Sequence, residues 1–248
     1  MRELFSDPGE RWAYLPRTSK CNKRIAFFVH GYNPFDQYHP NFLTTWGNLP
    51  SLLREHADGS DIFKNWDYFF LGYKVDRVEG YLDIAEIIAT HWNAAANGTS
   101  PFLHQYATLS LVGHSLGTLG IRQLLAARSL HQSQLLPSIH SVLLFGSPVA
   151  GSDWARFSPD PIAHALRPFG PQLRMLNVWC SENYDSQTWP HSRSVFGNDD
   201  RIVNVKGRTF VDWTGDQKST VNLGHSALCK PKNWKQSQIK GFLEEAFK

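Results

Sequence analysis

The stretch from Tyr106 to Leu125, YATLSLVGHSLGTLGIRQLL, constrains this chain more than any other. A short run of apolar and β-branched residues leads into Gly113-His114-Ser115-Leu116-Gly117, and apolar residues then recur at helical spacing. A strand that turns at once into a helix sets the serine on a strained bend, with its hydroxyl lifted out of the sheet. Glycines on both sides of Ser115 suit a turn too tight for Cβ atoms against the neighbouring strand and helix. The pattern G-x-S-x-G alone would turn up by chance in roughly one chain in ten of this length. The strand before it and the helix after it are the context that gives it meaning.

The rest of the chain supplies a frame for such a turn. Ile25 to Val29 and Trp66 to Tyr73 are unbroken apolar runs, as expected of strands buried on both faces of a parallel sheet, and Ile139 to Phe145 is a third. Between them lie helical patterns, one from Asn41 to Ala57 that Pro50 should kink or split, and one from Tyr81 to Ala96 that Asn97-Gly98 stops. The helix after Ser115 should run to about His131. The first two dozen residues are polar and hold at most one short edge strand, near Trp12 to Leu15. Four prolines break Trp154 to Pro171 into an excursion or small cap with one helical piece near Ile162 to Leu166. Leu173 to Cys180 reads as another strand, the segment from there to Asn198 as loop, and Ile202 to Val205 with Arg208 to Trp213 as a short edge ribbon. Asn233 to Phe247 is a final helix packed on the sheet. Alternating strands and helices predict an α/β fold with right-handed crossovers, a mostly parallel sheet and helices on both faces. No linker divides residues 1–248, so a single domain is expected, with 152–171 as its small cap.

Composition narrows the classes of function. A formal charge of +3 comes from scattered Lys and Arg, without the concentrated stripe of a nucleic-acid surface. The N-terminus MRELFSDPGERWAYL has no apolar run of signal-peptide length, and no stretch approaches a transmembrane helix. Three cysteines cannot form a full disulfide framework, so the cytoplasm is the expected location, with a signal-independent export route left open. The histidines lack paired helical spacing and the cysteines lack C-x-x-C, so neither a metal nor a cofactor is expected. Nothing in the sequence supports contact with a membrane surface or indicates an oligomeric state.

The elbow, with its strand and helix, resembles that of the α/β-hydrolase superfamily, in its serine esterase and lipase-like branch. Three further segments match in order. His30-Gly31-Tyr32, after the first buried strand, resembles the H-G-x donor loop of lipases, and Gly146-Ser147-Pro148-Val149-Ala150-Gly151-Ser152 resembles their G-S-P-x-x-G-S turn. Gly197-Asn198-Asp199-Asp200-Arg201-Ile202-Val203 resembles the acid segment, in which an aspartate stands three residues before a valine. The short N-terminal region and the lack of a large cap depart from the family pattern and leave strand count and substrate open.

A serine hydroxyl needs a base within reach and a third group that orients the base. The resemblance assigns Ser115 as nucleophile and His225, in Asn222-Leu223-Gly224-His225-Ser226, as base, with His191 in reserve and His164 the other late histidine. Asp200 is the favoured acid, against Asp199, Glu182 and Asp185. The oxyanion hole falls to the backbone N–H groups of Tyr32 and Leu116. His30 should hold the donor loop through its ring nitrogens, and His114 should pack rather than react. The implied activity is hydrolysis of a carboxylic ester with an apolar acyl group, through an acyl-enzyme. Phospholipase, thioesterase or acyltransferase activity would use the same triad, and a non-catalytic binding module on this scaffold is the alternative of another class. The aromatics Tyr32, Phe35, Tyr38, Trp154 and Phe157 are candidates to line the acyl site.

Overall fold

This computed structural model describes residues 5–7, 12–16, 23–32, 42–74, 78–100, 103, 105–130, 135–156, 161–183, 189–203 and 217–248. Eight strands form one sheet: β1 (Phe5–Asp7), β2 (Trp12–Leu15), β3 (Arg24–Val29), β4 (Asp67–Leu71), β5 (Thr108–His114), β6 (Ile139–Phe145), β7 (His191–Gly197) and β8 (Gln217–Val221). Their order is β1-β2-β4-β3-β5-β6-β7-β8. The β1–β2 and β2–β4 pairs are antiparallel, and every pair from β4 across to β8 is parallel.

Burial on both faces explains the apolar runs. Phe27, Val29, Phe69, Leu71, Leu109 and Leu111 point into one core, which they share with helices α2 (Tyr81–Ala96), α3 (Leu116–Leu130) and α5 (Pro171–Glu182). The alternate residues Ala26, Phe28, Tyr68, Phe70 and Val112 point into a second core with α1 (Leu49–His56) and the C-terminal helical segment. That segment is a π-helical turn over Gln238–Leu243 followed by the short α6 (Glu244–Phe247), shorter than its apolar pattern implied. Trp66 stacks on Phe247 at 5.0 Å, and its Nε1–H donates to the Phe247 carbonyl at 3.0 Å, which ties the chain end to the sheet. Burying each such large side chain contributes roughly 2–3 kcal/mol.

Pro50 splits the first helical pattern as its geometry requires. A 3₁₀ turn covers Phe42–Trp46, and α1 begins at Leu49 with Pro50 in its first turn, where the missing N–H has no partner to lose. In the excursion, helix α4 (Pro161–Ala165) coincides with the expected helical piece.

The structure corrects the reading in four places. Leu173 to Cys180 is not a strand but the body of α5: Gly170 caps it, Pro171 opens it, and Leu173, Leu176 and Cys180 are buried at helical spacing. Met175 and Val178, apolar residues between them, are exposed. The polar segment beyond it is not all loop, since it contains the interior strand β7. Ser192 and Ser194 are buried there because their side chains are small, while Arg193 reaches out to Glu245 with two hydrogen bonds of 2.5 and 2.7 Å. The N-terminal region holds two strands rather than at most one. Residues 201–203 form bends rather than a strand, and the rest of the expected ribbon, including Val205 and Arg208 to Trp213, lies outside the described residues. Among the described residues no helix is long and apolar enough to cross a membrane.

Candidate active site

The register of the parallel strands gathers the motifs at one edge. Val29 lies beside Gly113, His114 beside Phe145, Phe145 beside Val195, and Gly197 beside Val221. The loops leaving the carboxyl ends of β3, β5, β6, β7 and β8 therefore start side by side, at the edge where open α/β sheets bind ligands.

Ser115 sits between β5 and α3 with φ +51, a left-handed conformation that a non-glycine residue adopts only where its surroundings hold it. Three bonds do so here. Its N–H donates to Phe145 O at 2.9 Å, and its carbonyl accepts from Thr118 N at 3.0 Å and from Thr118 Oγ1 at 2.5 Å. Thr118 Oγ1 is also hydrogen-bonded to Ser147 Oγ at 2.7 Å, which ties the elbow to the G-S-P turn. Gly117 allows α3 to start against β3, since a Cβ there would collide with the carbonyl oxygens of Val29 and His30. The first amide of α3, that of Leu116, is among the four that a helix leaves without an internal partner.

Asp200 and His225 come together as a buried pair. His225 Nδ1 is 2.7 Å from Asp200 Oδ2, so Nδ1 carries a proton and donates it to the carboxylate. Asp200 Oδ1 accepts from the amides of Ile202 at 2.8 Å and Val203 at 2.9 Å. Burial alone pushes the carboxyl up, but the His225 hydrogen bond and charge, with the two amides, outweigh it and hold the group below its ordinary value. The Ile202 carbonyl in turn accepts from Ser152 Oγ at 2.5 Å, so the last residue of the G-S-P turn braces the Asp200 loop. Gly146 leaves room for the His225 ring: its φ is +59, and a Cβ there would lie 3.0 Å from His225 Cε1 and Nδ1. Ser115 N bonds Phe145 O while the His225 ring packs on Gly146, so serine and imidazole flank the same two residues. Among the described residues no hydrogen bond joins Ser115 Oγ to the His225 ring.

The competing residues stand elsewhere. Asp199 is exposed, Glu182 is exposed at the end of α5, and Asp185 lies outside the described residues. His191 is exposed at the amino end of β7, and His164 is exposed on α4, with Nε2 3.2 Å from Arg167 Nη2.

In the segment after β3, His30 is fully buried and uses both ring nitrogens. Nε2 accepts from Tyr73 N at 3.0 Å, which places the proton on Nδ1, 2.6 Å from Gly31 O. The ring stacks on Tyr73 at 4.1 Å, and the Tyr73 hydroxyl donates to His30 O at 2.7 Å. Tyr32 is half-buried and packs against the core on the α2–α3 face. Phe35, Tyr38 and Phe157 lie outside the described residues, as does the side chain of Trp154. Sequence reasoning missed the bracing of Asp200 by Ile202, Val203 and Ser152, and the contact of His114 with His225 described below. The motif spacing of Ser152 and the three-residue spacing from Asp200 to Val203 were the signals for these.

A mostly parallel sheet in this strand order, with helices packed on both faces, is the architecture of the α/β-hydrolase fold. No protein-family model matches the chain, and no curated protein matches it in sequence. Solved structures do match. A monoacylglycerol lipase of Paleococcus ferrophilus superposes with a TM-score of 0.64 at 12% identity, covering 99% of this chain and 98% of that one. Est1E of Butyrivibrio proteoclasticus gives 0.56 at 11% identity, with 99% and 95% covered. Phospholipase PlaB of Legionella pneumophila gives 0.52 at 18% identity over 70% of this chain, but this chain spans only 38% of its length. Likeness at such identities is a likeness of fold, and the fold is that of the α/β-hydrolases.

Proposed function

We propose that this protein is a serine hydrolase of carboxylic esters, with Ser115 as nucleophile, His225 as base and Asp200 as the group that orients the base. The observation that carries this reading is the buried 2.7 Å contact between His225 Nδ1 and Asp200, beside the strained elbow at Ser115. Ser115 Oγ attacks the ester carbonyl carbon and its proton passes to His225 Nε2. The resulting oxyanion is met by the backbone N–H groups of Tyr32 and Leu116, the latter at the positive end of α3. Collapse expels the alcohol, which takes the proton from Nε2. Water then attacks the acyl-enzyme, gives a proton to Nε2, and the second collapse returns that proton to Ser115 Oγ as the acid leaves. Asp200 keeps the proton of the resting ring on Nδ1 and stabilises the imidazolium without being protonated itself. The hydrogen bond between Ser115 Oγ and Nε2 forms in this scheme on substrate binding, as such bonds commonly tighten in the Michaelis complex.

The similar folds of a monoacylglycerol lipase and a phospholipase support an ester with an apolar acyl group. A fluorophosphonate probe tests the reading directly. Covalent labelling at Ser115 that disappears in Ser115→Ala is expected. An unlabelled wild type, or labelling that survives the substitution, overturns it. A chain-length series of p-nitrophenyl esters, run beside phospholipid, triglyceride and thioester substrates, then ranks the substrate classes.

A further inference from the structure

His114, the residue before Ser115, is packed between the His225 ring and the Gly31 backbone. It is 7% exposed, and its Nε2 lies 3.1 Å from the carbonyl oxygen of His225. A carbonyl only accepts, so His114 carries its proton on Nε2 and donates it there. The other donor to that oxygen, the backbone amide of Leu228, is farther away at 3.4 Å. The two imidazoles lie 4.8 Å apart, inclined at 46°. Nδ1 of His114 then holds a lone pair, buried and without a hydrogen-bond partner among the described residues. It faces the donor loop, since a Cβ on Gly31 would sit 3.0 Å from this nitrogen and 2.7 Å from Ser115 Cβ. Burial foremost, with the neighbouring His225 adding to it, pushes the imidazole down to about 3, so the ring is neutral at ordinary pH. A leucine would fill such a space without burying an unpaired nitrogen, so a polar ring here calls for a reason.

We propose that His114 is a positioning residue: its Nε2–H bond to the carbonyl of His225 sets the tilt of that ring toward Asp200 and Ser115. The consequence for turnover rests on the hydrolase reading above, whereas the effect on the His225–Asp200 contact does not depend on it. Three substitutions separate the donor from the bulk. His114→Leu fills the space without a donor, His114→Gln keeps an amide N–H near the place of Nε2, and the shorter amide of His114→Asn reaches only the place of Nδ1.

Ester hydrolysis and proton NMR of the full chain are measured on all three, with thermal unfolding as the control for folding. Leu and Asn are expected to lower kcat about 10–100-fold with KM little changed, the scale of a misplaced catalytic group. Gln should recover most of the loss. The far-downfield proton of the His225 Nδ1–H···Asp200 bond should be sharp in the wild type and Gln, and broadened or lost in Leu and Asn. A Leu variant with normal kcat and an intact downfield proton overturns the proposal. If Leu does not fold, the amide pair decides: Asn behaving like Gln overturns it, and recovery by Gln alone upholds it. If the wild type shows no Ser115-dependent hydrolysis, the hydrolase reading fails, and the NMR series still decides what His114 does.

Discussion

Two buried carboxylates lie at opposite edges of the same sheet, and their partners set them apart. Asp67 opens β4 at the amino edge of the parallel strands, 2% exposed. It accepts from the Tyr14 hydroxyl at 3.1 Å and from that of Tyr106, and the two hydroxyls are 2.7 Å from each other. Asp200 follows β7 at the carboxyl edge, 8% exposed, and accepts from an imidazole and two amides. Burial first, and then the charge of Asp67, push both tyrosines well above the usual phenol range, so neither can exchange a proton near neutral pH. Asp200 faces instead an imidazole, whose two ring nitrogens can donate at one side and accept at the other. Burying a carboxylate therefore does not make a site. Its role depends on whether its partner can take and return a proton, and on whether a nucleophile stands beside that partner.

This contrast can be broken experimentally. The largest effect is expected from Ser115→Ala, which should lower turnover by about 10⁴–10⁶-fold and leave unfolding curves unchanged. Asp200→Asn should cost about 10⁴-fold in kcat, since the amide no longer selects the tautomer with the proton on Nδ1, while exposed Asp199→Asn stays near wild type. If Asp199→Asn carries the loss instead, the acid lies one residue earlier.

A third effect is on stability. A ring whose pKa falls from 6.5 unfolded to about 3 folded binds fewer protons in the folded state between those values. The contribution of His114 is thus fully present above the unfolded value and is lost as pH falls toward the folded one. His114→Gln should remove that part of the dependence, so that the variant loses less stability than the wild type as pH falls. Urea midpoints of both proteins at about pH 7 and about pH 4 measure it, and parallel losses would refute it. The Asp200 carboxyl, held low in both proteins, acts with the same sign at still lower pH.

The smallest effect sharpens the comparison from the other side. Asp67→Asn should leave kcat per folded molecule unchanged while lowering stability by about 1–3 kcal/mol, the scale of a disturbed buried hydrogen-bond group. A large loss of kcat with unaltered stability would give Asp67 a role in the chemistry and end the distinction.

Much of this fold was legible because burial leaves a local trace. Strands β3, β4 and β6 and helix α2 follow directly from their apolar runs and periodicity. Where the trace was ambiguous, the reading failed. LRMLNVWC is apolar enough for a buried strand, yet a helix uses only Leu173, Leu176 and Cys180 of it. HSRSVFG reads as polar, yet serines are small enough to be buried in an interior strand. The candidate site was legible as motifs. Adjacent aspartates at 199 and 200 look alike in sequence, and the structure separates them by turning one carboxylate inward to His225 and leaving the other in solvent.

The sequence by itself determined the motifs and their order along the chain: His30-Gly31-Tyr32, the glycine-flanked Ser115, the G-S-P turn, the Asp199-Asp200 segment and a late histidine. Local spacing was enough, because a strand-turn-helix and a glycine-flanked serine are made by neighbouring residues. Only the tertiary structure decided which side chains meet. His225 and Asp200 stand 25 residues apart in sequence, and His114 and His225 stand 111 apart. Such meetings depend on strand order, register and the close approaches at Gly117 and Gly146, which no local window of sequence encodes.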